Sequence, residues 1–121
     1  MPTAPRERPL VATVLGEYSA FISDDANAVF DSLARRVKSA SPPASSILID
    51  KPARLIVLQG EWWYRGEWRV TVEAAGSDVD YTIVNVAQRA HWAGRLTARG
   101  VLKQAPSEFL ALASAVRAEL E

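Results

Sequence analysis

The sequence predicts an α+β fold, an antiparallel curved sheet packed on a long C-terminal helix. Three observations carry this. Trp68, Val70, Val72 and Ala74 alternate with Arg69, Thr71 and Glu73, the period-2 pattern of a strand with one buried and one wet face. Gly76-Ser77 follows as a two-residue hairpin turn, with glycine where positive φ is wanted. Towards the C-terminus, Phe109, Leu112, Ala113, Val116 and Leu120 fall on one helical stripe, which a sheet must cover.

The elements follow in order. Residues 1–9 hold three Pro and several charged side chains and read as a flexible N-terminal arm, disordered or draped. Residues 10–121 form one domain, in keeping with a length of 121 residues. Leu10–Ser23 is rich in Val, Tyr, Phe and Ile and reads as a long strand. Ser23-Asp24-Asp25 supplies N-cap residues. Val29, Phe30, Leu33 and Val37 then recur at helical spacing up to Ala40, where Ser41-Pro42-Pro43 ends the helix. Ser46–Asp50 and Arg54–Gln59 form a hairpin across Lys51-Pro52-Ala53, and the segment from Glu61 to Gly66 is an aromatic strand end. A turn at Gly76-Ser77 would set Ala74 opposite Val79, Val72 opposite Tyr81, Val70 opposite Ile83 and Trp68 opposite Asn85. The apolar and polar sets then agree across both strands. Ala90–Lys103 alternates like a strand, yet Arg95, Arg99 and Lys103 are also spaced as a helical row. Ala105-Pro106 opens the last helix, with Pro in its first turn.

Composition excludes several functions. Fourteen basic residues balance fourteen acidic ones, which argues against a nucleic-acid partner bound mainly by charge. Absence of Cys, with a single His, excludes thiolate and His-rich metal sites, and no cofactor is expected. Apolar runs fall short of the ~20 residues of a membrane helix, so no membrane partner is expected. No signal peptide is evident, and the expected location is cytoplasmic. The sequence has no glycine-rich phosphate loop and no nucleophile elbow.

The most unusual local feature is the aromatic cluster Trp62, Trp63, Tyr64 and Trp68. Trp68 reads as core by its alternation. Trp62 and Trp63 are adjacent, so in a strand they point to opposite faces, and at least one should be exposed or at a pocket mouth. Asn85 falls among apolar residues and must be hydrogen-bonded there, to a ligand carbonyl or, as favoured, to a neighbouring loop backbone. His91 is the natural general base, but its isolation favours an ordinary surface histidine. Arg89, Arg95, Arg99 and Lys103 lie in a stretch without acids between Asp80 and Glu108. They read as a solvated face or as a receiver for an acidic group.

Four segments carry a family resemblance. These are Asp25-Ala26-Asn27-Ala28-Val29-Phe30-Asp31 with the strand before it, Lys51-Pro52-Ala53-Arg54-Leu55, Gly66-Glu67-Trp68-Arg69-Val70, and Phe109 to Glu121. Over residues 10–121 they resemble the START-like, or SRPBCC, helix-grip superfamily, near its polyketide cyclase/dehydrase-like branch. The chain departs in having Asp25 where Pro is usual, and in a Ser39–Ser45 linker too short for the second small helix and extra strands of many members. The resemblance implies a helix at about Ala90–Lys103. It also implies an apolar small molecule, lipid- or polyketide-like, held between the sheet and the last helix. Tyr18, Trp62, Trp63, Trp68, Tyr81 and Asn85 are the expected ligand-binding residues, with Ala111, Ala113 and Ala115 leaving room. Two alternatives stand beside this reading. One is a cyclase or dehydratase-type enzyme using an acid/base pair such as His91 and Tyr81. The other is an interaction module that docks through the Trp62-Trp63 edge.

Overall fold

A computed structural model describes residues 2–60 and 62–121; Met1 of the arm and Glu61 of the aromatic segment lie outside the described residues. Strand β1 (Thr13–Ile22) leads to helix α1 (Ala26–Ala40), then β2 (Ser46–Asp50), β3 (Leu55–Gly60), β4 (Tyr64–Glu73) and β5 (Gly76–Asn85). A short helix α2 (His91–Thr97) and a long helix α3 (Arg99–Leu120) complete the chain.

Asp25 starts α1 as expected: its carboxylate accepts the backbone N–H groups of Asn27 and Ala28 at 3.1 and 3.2 Å, satisfying two donors that lack helical partners. At the other end the Ser41 hydroxyl bonds the Val37 carbonyl at 2.7 Å before the two prolines. The face bearing Val29, Phe30, Leu33 and Val37 is buried.

All strands pair antiparallel in the order β1-β5-β4-β3-β2, so the meander β2 to β5 is closed on its far side by β1. The inner face presents Ile56, Leu58, Trp68, Val70, Val79, Tyr81 and Ile83 to α1 and α3. The polar set Arg69, Thr71 and Glu73 is exposed, so the inner and outer assignments from the sequence hold. Phe109 and Val116 of α3 are buried against this face, whereas Leu112 is half-buried.

The register differs from the expected one. Trp68 pairs with Tyr81, Val70 with Val79, and Glu73 with Gly76. The turn is therefore Ala74-Ala75, not Gly76-Ser77. The slide along β5 is an even number of residues, which is why each side chain keeps its face. Val72, placed inside from the sequence, is 57 % exposed because it stands at the hairpin's outer end. Gly76 answers to crowding: a Cβ there would meet the Ile22 carbonyl and lie 2.8 Å from the Ser23 Cα, where β1 turns into α1.

The segment 90–103 is helical, as the resemblance implied, and its alternation is not that of a strand. The last helix begins earlier than Ala105-Pro106. It runs from Arg99, with Pro106 inside it, about two turns past the first position that an N-terminal proline would take.

Residues 2–9 lie along the outer face. Ala4 is buried against Leu55 and Val57, and the Pro2 carbonyl accepts the Ile47 N–H at 2.9 Å. The anchor is Arg65, itself buried, which donates to the carbonyls of Pro5 (2.8 Å) and Arg6 (2.6 Å), to Gln59 (2.9 Å) and to the Glu67 carboxylate (2.7 Å). Every contact uses the fixed fork of an Arg guanidinium.

Candidate functional site

Between the inner sheet face and the two long helices lies a cavity of two adjoining lobes, of about 260 and 270 Å³. Leu58, Tyr64, Tyr81 and Glu108 line both. The first lobe adds Trp68, Phe109 and Leu112, with Val37 of α1. The second adds Trp63, Val101 and Gly60.

The cavity owes its shape to a glycine. On β4, Tyr64, Gly66 and Trp68 share the inner face, and a Cβ at Gly66 would collide with the Tyr64 hydroxyl and lie 3.0 Å from the Trp68 ring. With no side chain there, the Tyr64 ring folds over the strand and its hydroxyl reaches that of Tyr81, 2.6 Å away. Trp68 stacks on Tyr81 at 4.5 Å and 10°, and Tyr81 stacks in turn on Phe109 at 5.9 Å. Trp63 meets Tyr64 edge-on at 5.5 Å, a geometry favoured by the ring quadrupoles.

Burial pushes the Tyr81 hydroxyl up to about 12 and the Tyr64 hydroxyl well above its usual 10.0. Both are neutral at physiological pH. One O–H bridges the pair, which leaves one proton free to donate. The indole N–H groups of Trp63 and Trp68 are buried without a protein acceptor. The walls are thus mainly apolar, with the Tyr64 and Tyr81 side chains as their neutral polar members and the charged residues Glu108 and Arg36 among the lining.

The six sequence candidates separate. Trp63, Trp68 and Tyr81 line the cavity. Tyr18 packs on Tyr81 at 5.9 Å and on Phe109 at 6.3 Å, within the aromatic stack and outside the lining. Asn85, 1 % exposed, is occupied with backbone: its amide donates to the His91 carbonyl at 2.8 Å and its oxygen accepts the Ala87 N–H at 3.1 Å. Trp62, 48 % exposed, borders a hollow beside Pro5 and Pro9 on the outer side. Because Trp63 is buried, the two tryptophans make no common docking edge.

His91 is not paired with Tyr81. Its Nδ1 lies 2.7 Å from the Ala87 carbonyl, which can only accept, so Nδ1 carries a proton; Nε2 lies 2.8 Å from the Thr13 hydroxyl. Of the three alanines expected to leave room, Ala113 is buried, Ala115 half-buried and Ala111 exposed. None lines the cavity, whose helix wall is Val101, Glu108, Phe109 and Leu112. Tyr64, Glu108 and Leu58 were not among the sequence candidates. Tyr64 carried a signal, since it shares the parity of Trp68 on one strand. Glu108 lay inside the helix opened at Ala105-Pro106, next to Phe109, but a charged residue at the border of an apolar stripe reads as solvent-facing. Among the described residues no three His, Asp or Glu side chains converge as a metal site would require.

No family model matches the chain, and no curated protein matches it. Among solved structures it is similar to the di-domain ARO/CYC StfQ from the steffimycin biosynthetic pathway, at 12 % identity and a TM-score of 0.50. The likeness covers 89 % of this chain and 51 % of that one, so the chain spans about half the length of that protein. At this identity the likeness speaks for architecture alone. Together with the five-stranded curved antiparallel sheet gripping a long C-terminal helix, it gives the chain the helix-grip fold.

Proposed function

We propose that the chain binds an apolar small molecule of fused or extended rings bearing carbonyl oxygens, polyketide-like in character, in the cavity between the sheet and helices α1 and α3. The observation that carries this reading is the imbalance of polar groups there. The Tyr64–Tyr81 pair has one hydroxyl proton to spare, among walls formed by Trp63, Trp68, Phe109, Leu58 and Leu112. A spare donor among aromatic and apolar walls selects an acceptor on an apolar frame. The likeness in fold to an ARO/CYC protein fits a ligand of this class.

The test compares a hydroxyanthraquinone with the parent hydrocarbon by quenching of tryptophan fluorescence. The ketone is expected to bind more tightly, and changing both Tyr64 and Tyr81 to Phe, which removes the spare proton whichever oxygen carries it, to weaken it about tenfold, the effect of one hydrogen bond, while leaving the hydrocarbon unchanged. Equal affinity for both compounds in the wild type would remove the basis for the proposal.

A second reading, catalysis of cyclase or dehydratase type, has one observation in its favour: a free Tyr hydroxyl and the Glu108 carboxylate line the same lobes. The hydroxyl would polarise a carbonyl while Glu108 accepted the neighbouring carbon's proton. Glu108→Gln separates the readings, since it would abolish turnover of a poly-β-ketone while leaving binding of the anthraquinone intact.

A further inference from the structure

The two ends of the sheet differ in charge. No acidic residue occurs between Asp80 and Glu108, while Arg89, Arg95, Arg99 and Lys103 do. All four are exposed. None forms an ion pair among the described residues, which is also true of Lys38, Arg54, Arg69 and Arg117, whereas Arg6, Arg8, Arg35, Arg36, Lys51 and Arg65 are paired.

Helices α2 and α3 meet at Ala98, whose backbone is right-handed helical. The Ala98 N–H bonds the Gly94 carbonyl, and the Leu102 N–H bonds the Ala98 carbonyl, both at 2.9 Å. The helical phase therefore continues through the junction. Gly94, Ala98 and Ala105 form the buried side. Trp92, Leu96, Arg99 and Lys103, spaced i, i+4, i+7 and i+11, point the opposite way. Trp92 is 71 % exposed and Leu96 50 % exposed. At the far end of β5, Asp24, Asp25 and Glu73 surround one hollow beside Gly76, and the adjacent Asp78 carboxyl holds that of Glu73 above its usual range. A net charge of zero thus conceals a cation-rich helix face and an acid-rich far end, with Glu108 beside Thr97 and Gly100, and Glu7 beside Gln88, at the border of the former.

We propose that the face carrying Trp92, Arg95, Leu96, Arg99 and Lys103 docks on an anionic lipid bilayer. An exposed Trp and Leu among unpaired cations on one helix face match an interfacial helix, whose apolar side chains enter the headgroup boundary while its cations meet lipid charge. The acidic end faces away from such a surface, so the charge separation orients the molecule. A protein partner fits less well, because two apolar side chains fall short of the ~800 Å² per side of a stable interface. No described helix is long and apolar enough to cross a membrane. The sequence expectation of no membrane partner rested on that kind of span, and surface docking needs none. The docking face borders the cavity near Val101, although the proposal stands whatever the cavity holds.

The experiment is co-sedimentation of the full chain with phosphatidylcholine vesicles, with and without phosphatidylserine. Partitioning is expected only with phosphatidylserine and should weaken as salt rises. Arg95→Gln, Arg99→Gln and Lys103→Gln should each lower the partition coefficient about fivefold. Trp92→Ala should lower it as well, whereas Arg69→Gln on the outer sheet face should not. Far-UV circular dichroism confirms the fold of each variant. Equal partitioning into both vesicle types, or none, overturns the proposal. So does undiminished binding after joint reversal of Arg95, Arg99 and Lys103 to Glu. Self-association without vesicle binding would assign the face to a second copy of the chain and likewise overturn it. Tyr64→Phe should sediment as wild type, so failure of the cavity reading leaves this result in place.

Discussion

The hydroxyls of Tyr64 and Tyr81 meet diagonally across two strands. Tyr64 pairs in the ladder with Asn85, and Tyr81 with Trp68, yet the oxygens stand 2.6 Å apart over Gly66. Tyr64→Phe therefore leaves the buried Tyr81 hydroxyl short of a partner. It should cost about 1–3 kcal/mol in urea unfolding. Changing both to Phe should cost less than the sum of the single changes, since neither oxygen then remains to be satisfied.

The same pair sets an alkaline limit. A phenol raised in the folded state from 10.0 to about 12, as Tyr81 is, contributes stability that is complete below pH 10 and is lost as pH rises through the folded value. Melting temperature is expected to fall between pH 10 and 12. The double Phe variant should flatten that limb, and phenolate absorbance should follow the loss.

Acid is expected to act at the other end of α3. Glu119 bonds Arg35, Arg36 and Ser32 of α1, and the Arg35 guanidinium foremost holds its carboxyl down to about 2 from 4.5. The stability this gives is present above pH 4.5 and is lost as pH falls towards 2. Glu119→Gln should lower the melting temperature by a few degrees at neutral pH and make it less dependent on pH in that range.

Asn85 and Gly94 form a lock between β5 and α2. A Cβ at Gly94 would lie 2.6 Å from the Asn85 Oδ1, so Gly94→Ala must push the amide off the His91 carbonyl or lift the helix. Asn85→Ala, which strands two backbone groups at a buried position, should cost about 2–3 kcal/mol. By calorimetry both variants should be destabilised, and neither should change the affinity of the cavity for the anthraquinone.

How far the sequence reaches can be seen in these residues. The α1 boundaries followed from Asp25 and the Pro42-Pro43 pair, because caps and breakers act within a few residues. The sheet faces followed from alternation in β4, which is also local. The register did not, because Gly76 looks like a turn residue in sequence. What demands a glycine there is the crossing of Ser23, far away in the chain. Asn85 was drawn towards a ligand role by its apolar neighbours, and the backbone bonds favoured for it in the sequence are present in the structure. Tyr64 was noted in the aromatic cluster but not placed in the site, because the reach of its hydroxyl depends on the empty space above Gly66, a relation between two residues that neither shows alone.

The Pro2 carbonyl on Ile47 has a consequence for how separate copies of the chain behave. β2 is the last strand of the sheet, and such a border is a template on which a foreign strand can be laid. Here the open N–H of Ile47 is taken by a residue that has no N–H of its own to extend the ladder, and Arg6 ties the same segment to Asp50. Trimming the chain to residues 10–121 would leave the core between sheet and helices in place, but it would unroof Leu55 and Val57, take two acceptors from Arg65 and uncover this border, beside an Ile49 that is already 40 % exposed. Such a trimmed protein would be prone to fibrillar stacking at high concentration, so what the first nine residues protect is colloidal behaviour more than the shape of the fold.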